Sequence, residues 1–258
     1  MPMNDPHVDA LIYRVEHGDD VNYDAAPPMK YENEVFTVRI KRGDDKSKKG
    51  LVRFEFKTHF ATVEEAQAAV EPFIWSWELS ANLDHYSHQF NLSFDDSKIS
   101  DRNPNLNGTM EIAAGVKVSV SMHGVVHRGH FPEVPLALAV NTDVEFMYLR
   151  YKRYQEGGEP LPSMAYFCLT VLEIGAGGRR KAAKNYSISK DVLAEIGRLS
   201  STRGGTEVRK VGASDIEKKL TEAECRRLIA AVRHLIRRAA EIAYNPGKVY
   251  PRITMADL

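Results

Sequence analysis

Residues 35–41 read V-F-T-V-R-I-K and residues 51–56 read L-V-R-F-E-F. Phe36, Val38 and Ile40 share one side of the first run, and Val52, Phe54 and Phe56 share one side of the second. A period of two with one apolar side marks a half-buried β-strand. One wet face and one dry face are what an antiparallel sheet permits. The link between the runs, R-G-D-D-K-S-K-K-G (42–50), is charged and ends in Gly50, so the pair reads as an antiparallel hairpin with a long loop. Working outward, residues 8–17 alternate, with Ala10 and Ile12 one way and Leu11, Tyr13 and Val15 the other. Residues 90–94 and 110–126 return to strand patterns, separated by the turn-rich D-D-S-K-I-S-D-R-N-P-N-L-N-G (95–108). Between the hairpin and these strands stands Thr62-Val-Glu-Glu65, a capping box ahead of Ala66, Ala69, Val70, Phe73, Ile74 and Trp77. It predicts an amphipathic helix to about residue 83, which Pro72 should kink or divide. The order is β-β-β-α-β-β: an antiparallel sheet with one helix on its dry face.

After H-F-P-E-V-P (130–135) the periodicity becomes helical. Thr142-Asp-Val-Glu145 caps a helix to Gln155, and residues 161–173 form an apolar helix that ends in Gly175-Ala-Gly-Gly178. A short helix spans 179–186, Ser189 caps another through Leu199, and Thr221-Glu-Ala-Glu224 opens the longest, to about Tyr244. The expected fold is α+β: an acidic antiparallel α+β domain over 1–131, then a basic all-α helical bundle over 136–258.

The 258 residues suit one large domain or two modest ones. Zero net charge hides a polarity: residues 1–149 hold 14 Lys and Arg against 23 Asp and Glu, and residues 150–258 hold 21 against 12. Opposite signs suggest two domains with different partners, or halves that neutralise each other. The longest uncharged apolar run, 164–172, is far below the about 20 residues a membrane span needs. The first residues, M-P-M-N-D-P-H-V-D-A, lack a basic start and an apolar core, and 2 cysteines make no disulfide framework. A reduced cytoplasmic protein without a membrane partner is expected. No GxSxG, HExxH, strand-linked GxGxxG or EF-hand loop occurs, so the common hydrolase, protease and nucleotide-cofactor classes have no support.

On a wheel with Arg227 at zero, Leu228, Val232, Leu235, Ala239, Ile242 and Ala243 fall between about 60° and 160°. Arg227, His234, Arg238 and Glu241 lie within about 40° of zero, as a polar stripe. Such a stripe is either half of a composite site or a solvated face joined by charge pairs. Gly175-Ala-Gly-Gly-Arg-Arg-Lys181 combines glycines with Arg179, Arg180 and Lys181. It reads as a helix-to-helix turn whose cations remain useful to polyanions, or as an anion cradle. Arg179, Arg180, Lys181 and Arg238 are the candidate anion-binding residues. Tyr148, Tyr151 and Tyr154 on a basic helix suit stacking on single-stranded nucleic acid or, more simply, helix packing. His123, His127 and His130 form the densest histidine run, and His85 and His88 are the residues that would complete a metal site with it. The run continues a strand and brings no cysteine, so surface or interface histidines are expected, with no metal and no cofactor. Cys168 and Cys225 read as core thiols.

Arg227-Leu-Ile-Ala-Ala-Val-Arg-His234 is an R-x6-H pattern on a late helix. It resembles the HEPN family of helical ribonucleases, although Leu228 stands where that family usually has a polar residue. The resemblance covers about 110 residues: an apolar helix ending in Glu173, short basic helices, then a long final one. It implies a helical bundle that pairs as a homodimer and cleaves RNA without metal, with Arg227 and His234 as catalytic residues. His234 would exchange a proton with the 2′-hydroxyl or leaving oxygen, and Arg227 would stabilise charge on the phosphate. S-M-A-Y-F-C-L-T-V-L-E (163–173) and I-T-M-A-D-L (253–258) also resemble a bacterial family labelled methylamine-utilisation accessory protein J. That label reflects gene neighbourhood and implies little chemistry.

The leading expectation is an accessory or defence-type protein whose basic helical domain associates with RNA or another polyanion, as a HEPN-like ribonuclease if it is catalytic. The alternative is a non-catalytic interaction protein. In it the N-terminal domain binds a ligand or an unknown protein, and the helical domain dimerises through surplus apolar stretches such as 164–172. A metal-dependent enzyme using the histidine run is a third class.

Overall fold

A computed structural model describes residues 5–18, 21–23, 26–41, 50–84, 90–102, 109–111, 127–128, 130–135, 137–202 and 219–258. The chain divides into two compact units, Met1–Pro135 and Leu136–Leu258.

The first unit is mixed α and β. Its strands are β1 (Pro6–Glu16), β2 (Val21–Asn22), β3 (Met29–Glu32), β4 (Phe36–Lys41), β5 (Leu51–Phe56), β6 (Asn91–Asp101), β7 (Thr109–Glu111) and β8 (His127–Arg128), and its helix is α1 (Val63–Asp84). Six strands form one antiparallel sheet in the order β3-β4-β5-β1-β6-β7. β2 and β8 make a separate parallel pair. The β4–β5 hairpin forms with Phe36 opposite Phe56 and Ile40 opposite Val52, which puts both apolar sides on the core.

Three expectations change. β1 carries register shifts between Val8 and Ala10 and between Ile12 and Tyr13. A bulge resets the two-residue phase, so Val8 joins Leu11, Tyr13 and Val15 in the core cluster. The polar stretch read as a turn from residue 95 is instead most of β6, which pairs with β1 along its length. Pairing satisfies its backbone regardless of composition. Pro72 does not divide α1, which runs unbroken. The rest of the expected strand over 110–126 lies largely outside the described residues, as do His85, His88 and His123.

α1 buries Ala66, Val70, Ile74, Trp77 and Ala81, a helical stripe, against the sheet. The Thr62 hydroxyl accepts from the Glu65 amide at 3.2 Å, and Glu65 reaches back to the Ala61 amide at 3.1 Å. Residues 131–132, near the end of this unit, pack into it. Phe131 stacks on Tyr23 at 4.8 Å, and the Pro132 carbonyl accepts from Trp77 Nε1 at 3.0 Å. Gly50 fits here because a Cβ would meet the Phe131 ring at 3.0 Å.

The second unit holds α2 (Thr142–Gln155), α3 (Leu161–Ala176), α4 (Arg179–Asn185), α5 (Lys190–Thr202) and α6 (Glu222–Tyr244), with a short 3-10 turn at Met255–Asp257. α3 is central and packs against α2, α4, α5 and α6. Met164, Ala165, Cys168, Leu169 and Leu172 are buried in this bundle, so the stretch expected as a surplus dimer face is core. Tyr148 and Tyr151 are also buried, which takes them out of nucleic-acid stacking. Asn141, not Thr142, caps α2, its side chain accepting from the Val144 amide at 3.0 Å. Thr221 and Glu224 form both halves of the α6 capping box. Among the described residues no single helix is long and apolar enough to cross a membrane.

Candidate anion-binding site

The turn from α3 to α4 spends its glycine amides on helix closure. The Gly178 amide donates to the Glu173 carbonyl at 2.6 Å and the Gly177 amide to the Ile174 carbonyl at 3.0 Å. With Gly177 left-handed at φ 75°, this is a Schellman cap. No anion cradle forms from these two amides, and the plainer reading as a helix-to-helix turn holds here.

The cations that follow separate. Arg179 pairs with Glu173 and lies against Gly197, where a Cβ would come 3.0 Å from the guanidinium. Arg180 and Lys181 instead line a hollow of about 610 Å³ together with Ala183, Lys184, Ser187, Lys190 and Arg252. Arg180, Lys181 and Lys184 come from α4, at spacings that share a helix face. Lys190 opens α5. Arg252 arrives from the C-terminal segment, which is tied on by a parallel bridge between Ile188 and Ile253, made of the Ser189 amide donating to the Ile253 carbonyl at 2.8 Å and the Ile253 amide donating to the Ser187 carbonyl at 2.9 Å. The lining holds five cations and no carboxylate.

Ser187 sits at the rim with φ 49°, the left-handed region that glycine favours. It is the C′ residue of a second Schellman cap: the Ile188 amide donates to the Ala183 carbonyl at 3.0 Å and the Ser187 amide to Lys184 at 3.3 Å. Serine here keeps a hydroxyl beside the cations at a conformational cost. Ser187→Gly should therefore raise stability by about 0.5–1 kcal/mol. A thermal melt of the variant at or below that of the parent would contradict this.

The other sequence candidates lie elsewhere. Arg238 is not on the surface: it is 7% exposed. Its Nε donates to Glu241 at 2.8 Å, its Nη1 donates to the Tyr186 and Ser187 carbonyls at 3.0 and 3.4 Å, and it lies 5.2 Å from the Tyr250 ring. It braces the backbone behind the hollow and offers nothing to a ligand. Arg227 is exposed and pairs with Glu195 at 3.3 Å. Hydrogen bonding, first from Arg198, then from Arg227, holds the Glu195 carboxyl below its usual range. His234 Nε2 lies 3.1 Å from the Asp257 carbonyl oxygen. Arg227 and His234 thus have different partners, and neither lines the hollow.

A second hollow in this unit, about 320 Å³, is lined by Arg150, Ser163, Tyr166, Phe167, Thr170 and Ser200. Its one cation pairs with the buried Glu159 and covers the Phe167 ring at 4.6 Å, so it presents little free positive charge. Cys168 is fully buried and its thiol is pushed up by desolvation, which suits a core role; Cys225 is half-buried. His130 is exposed, and among the described residues no three His, Cys, Asp or Glu side chains converge as a metal site.

Sequence reasoning found Arg180 and Lys181 but missed Lys184, Ser187, Lys190 and Arg252. Lys184 was legible as the i+4 neighbour of Arg180. Arg252 was not, because contacts that form only in the fold, the 188–253 bridge and the seating of Tyr250 on α6 among them, bring it near. No family model, curated protein or solved structure matches this chain.

Proposed function

We propose that the helical unit binds a polyanion, RNA foremost, through the hollow beside α4. The observation that carries this reading is five cations around one concavity without a carboxylate. The unit supports it overall, with 21 Lys and Arg against 14 Asp and Glu over 136–258. Phosphates contacted by Lys and Arg release counterions, so binding should weaken steeply with salt.

The test is fluorescence anisotropy of a labelled mixed-sequence single-stranded RNA with the full chain across a salt series. Lys181→Gln/Lys184→Gln/Lys190→Gln should lower affinity by more than about tenfold at low salt. It should also flatten the log–log salt slope by about 2, since each single-strand phosphate contact contributes about 0.7. An unchanged slope would sink the proposal. The same samples test the ribonuclease reading. Cleavage that His234→Ala and Arg227→Ala each abolish would assign catalysis to that pair; RNA left intact over hours leaves a binding protein.

One observation favours the second reading, a dimerising interaction protein: α2 leaves Phe146 and Leu149, three residues apart, exposed. If they meet a second copy, light scattering at micromolar concentration should give twice the 29.0 kDa chain mass, and Phe146→Glu should return it to one.

A further inference from the structure

The sheet unit has the opposite character. Residues 1–135 hold 21 Asp and Glu against 14 Lys and Arg. A groove of about 530 Å³ runs between α1 and strands β1 and β6. Glu64, Glu71 and Glu78 line it from α1. They recur every seven residues, two helical turns, so they follow one face at about 10.5 Å intervals. Glu64 and Glu71 have no ion-pair partner among the described residues. Glu78 is fixed by the Leu92 amide, which donates to it at 2.7 Å.

The other groove walls are aromatic. Trp75 is half-buried, and Phe94 is 44% exposed and meets the Tyr13 ring edge-on at 5.7 Å. Tyr13 is only 7% exposed, yet its hydroxyl has no hydrogen-bond partner among the described residues. Burial, aided by the Glu71 charge, pushes that phenol up to about 12, so it stays a neutral donor and acceptor. Carboxylates beside aromatic faces attract cations from two directions.

We propose that this groove is the docking site for an extended basic segment of a partner protein, with cationic side chains meeting Glu64, Glu71 and Glu78 in turn beside Trp75 and Phe94. The row spans about 21 Å of helix, more than a single small ion uses. A polyproline II segment has three residues per turn and rises about 3.1 Å per residue. A basic residue at every third position therefore repeats at about 9.3 Å on one side, close to the carboxylate spacing.

The probe is a fluorescein-labelled peptide of five Arg-Pro-Pro repeats, with five Glu-Pro-Pro repeats as control, titrated with the full chain. The first should bind and the second should not. Glu64→Gln/Glu71→Gln should weaken binding about tenfold or more, and Phe94→Ala severalfold. Glu156→Gln/Glu222→Gln, which removes two exposed charges from the helical unit, should leave it unchanged. The peptide should alter the emission of Trp75, an effect lost in Trp75→Phe, because Trp77 is fully buried. Equal binding by the groove variant, no binding at millimolar protein, or displacement by an equal concentration of spermidine would each overturn the proposal. The ligand is a cation, so this result is independent of the polyanion test.

Discussion

Arg238→Ala should destabilise the helical unit by about 3 kcal/mol, a fall of roughly 10–15 °C in its melting temperature. The side chain is buried, and its guanidinium serves Glu241, the Tyr186 and Ser187 carbonyls and the Tyr250 ring. Removing one member of a buried charge pair typically costs about 3–5 kcal/mol, because the remaining groups stay desolvated and unpaired. Glu241 keeps a quarter of its side chain in solvent, which moves the estimate to the low end. Arg238→Met/Glu241→Leu should recover part of the loss, since apolar replacement of both partners removes the stranded carboxylate. The two stranded carbonyls keep that recovery partial. Thermal melts of the full chain decide the matter. A variant that melts within 2 °C or so of the parent yet loses RNA affinity would return Arg238 to the ligand-contacting role suggested by its place on the helical wheel.

That wheel shows where sequence reading stops. It put Leu228, Val232 and Leu235 on the buried face of α6, and they are buried. It put Arg238 just outside that arc. What buries Arg238 is the turn at Tyr186–Ser187 and the Tyr250 ring, both distant in sequence and closed over the same face. The strands behaved likewise. β4 and β5 were legible because their two-residue period is unbroken, whereas β1 carries bulges and β6 is too polar to look like a strand. Capping boxes located α1 and α6, but at α2 the better cap is Asn141, one residue earlier. In the hollow beside α4, local spacing exposes Arg180 and Lys181, while the tail that supplies Arg252 is placed by tertiary contacts, the 188–253 bridge and the Tyr250 hydroxyl donating to the Glu241 carbonyl among them. Both concave surfaces combine a helix face visible in the sequence with a wall that only tertiary pairing provides.

Trp77→Ala should have a larger effect, confined to one unit. The indole is 0% exposed, touches Phe73 and Phe90 at ring separations of 5.7 and 5.4 Å, and donates Nε1–H to the Pro132 carbonyl. A Trp-to-Ala change in a core costs about 3–5 kcal/mol, and the stranded carbonyl adds about 1 kcal/mol or more. Against a typical domain stability of about 5–15 kcal/mol, this brings the sheet unit close to unfolding. Trp77→Phe keeps a ring in place and should cost much less. The chain's 2 tryptophans are Trp75 and Trp77, both on α1, so indole emission reports on the sheet unit alone. Far-ultraviolet circular dichroism is weighted towards the five helices α2–α6. The core around Trp77 is built from residues 8–134. If each unit carries its own core, Trp77→Ala should lower the emission transition by 15 °C or more and leave the dichroism transition of the helices where it was. Transitions that fall together by the same amount would mean that the two units fold as one cooperative body.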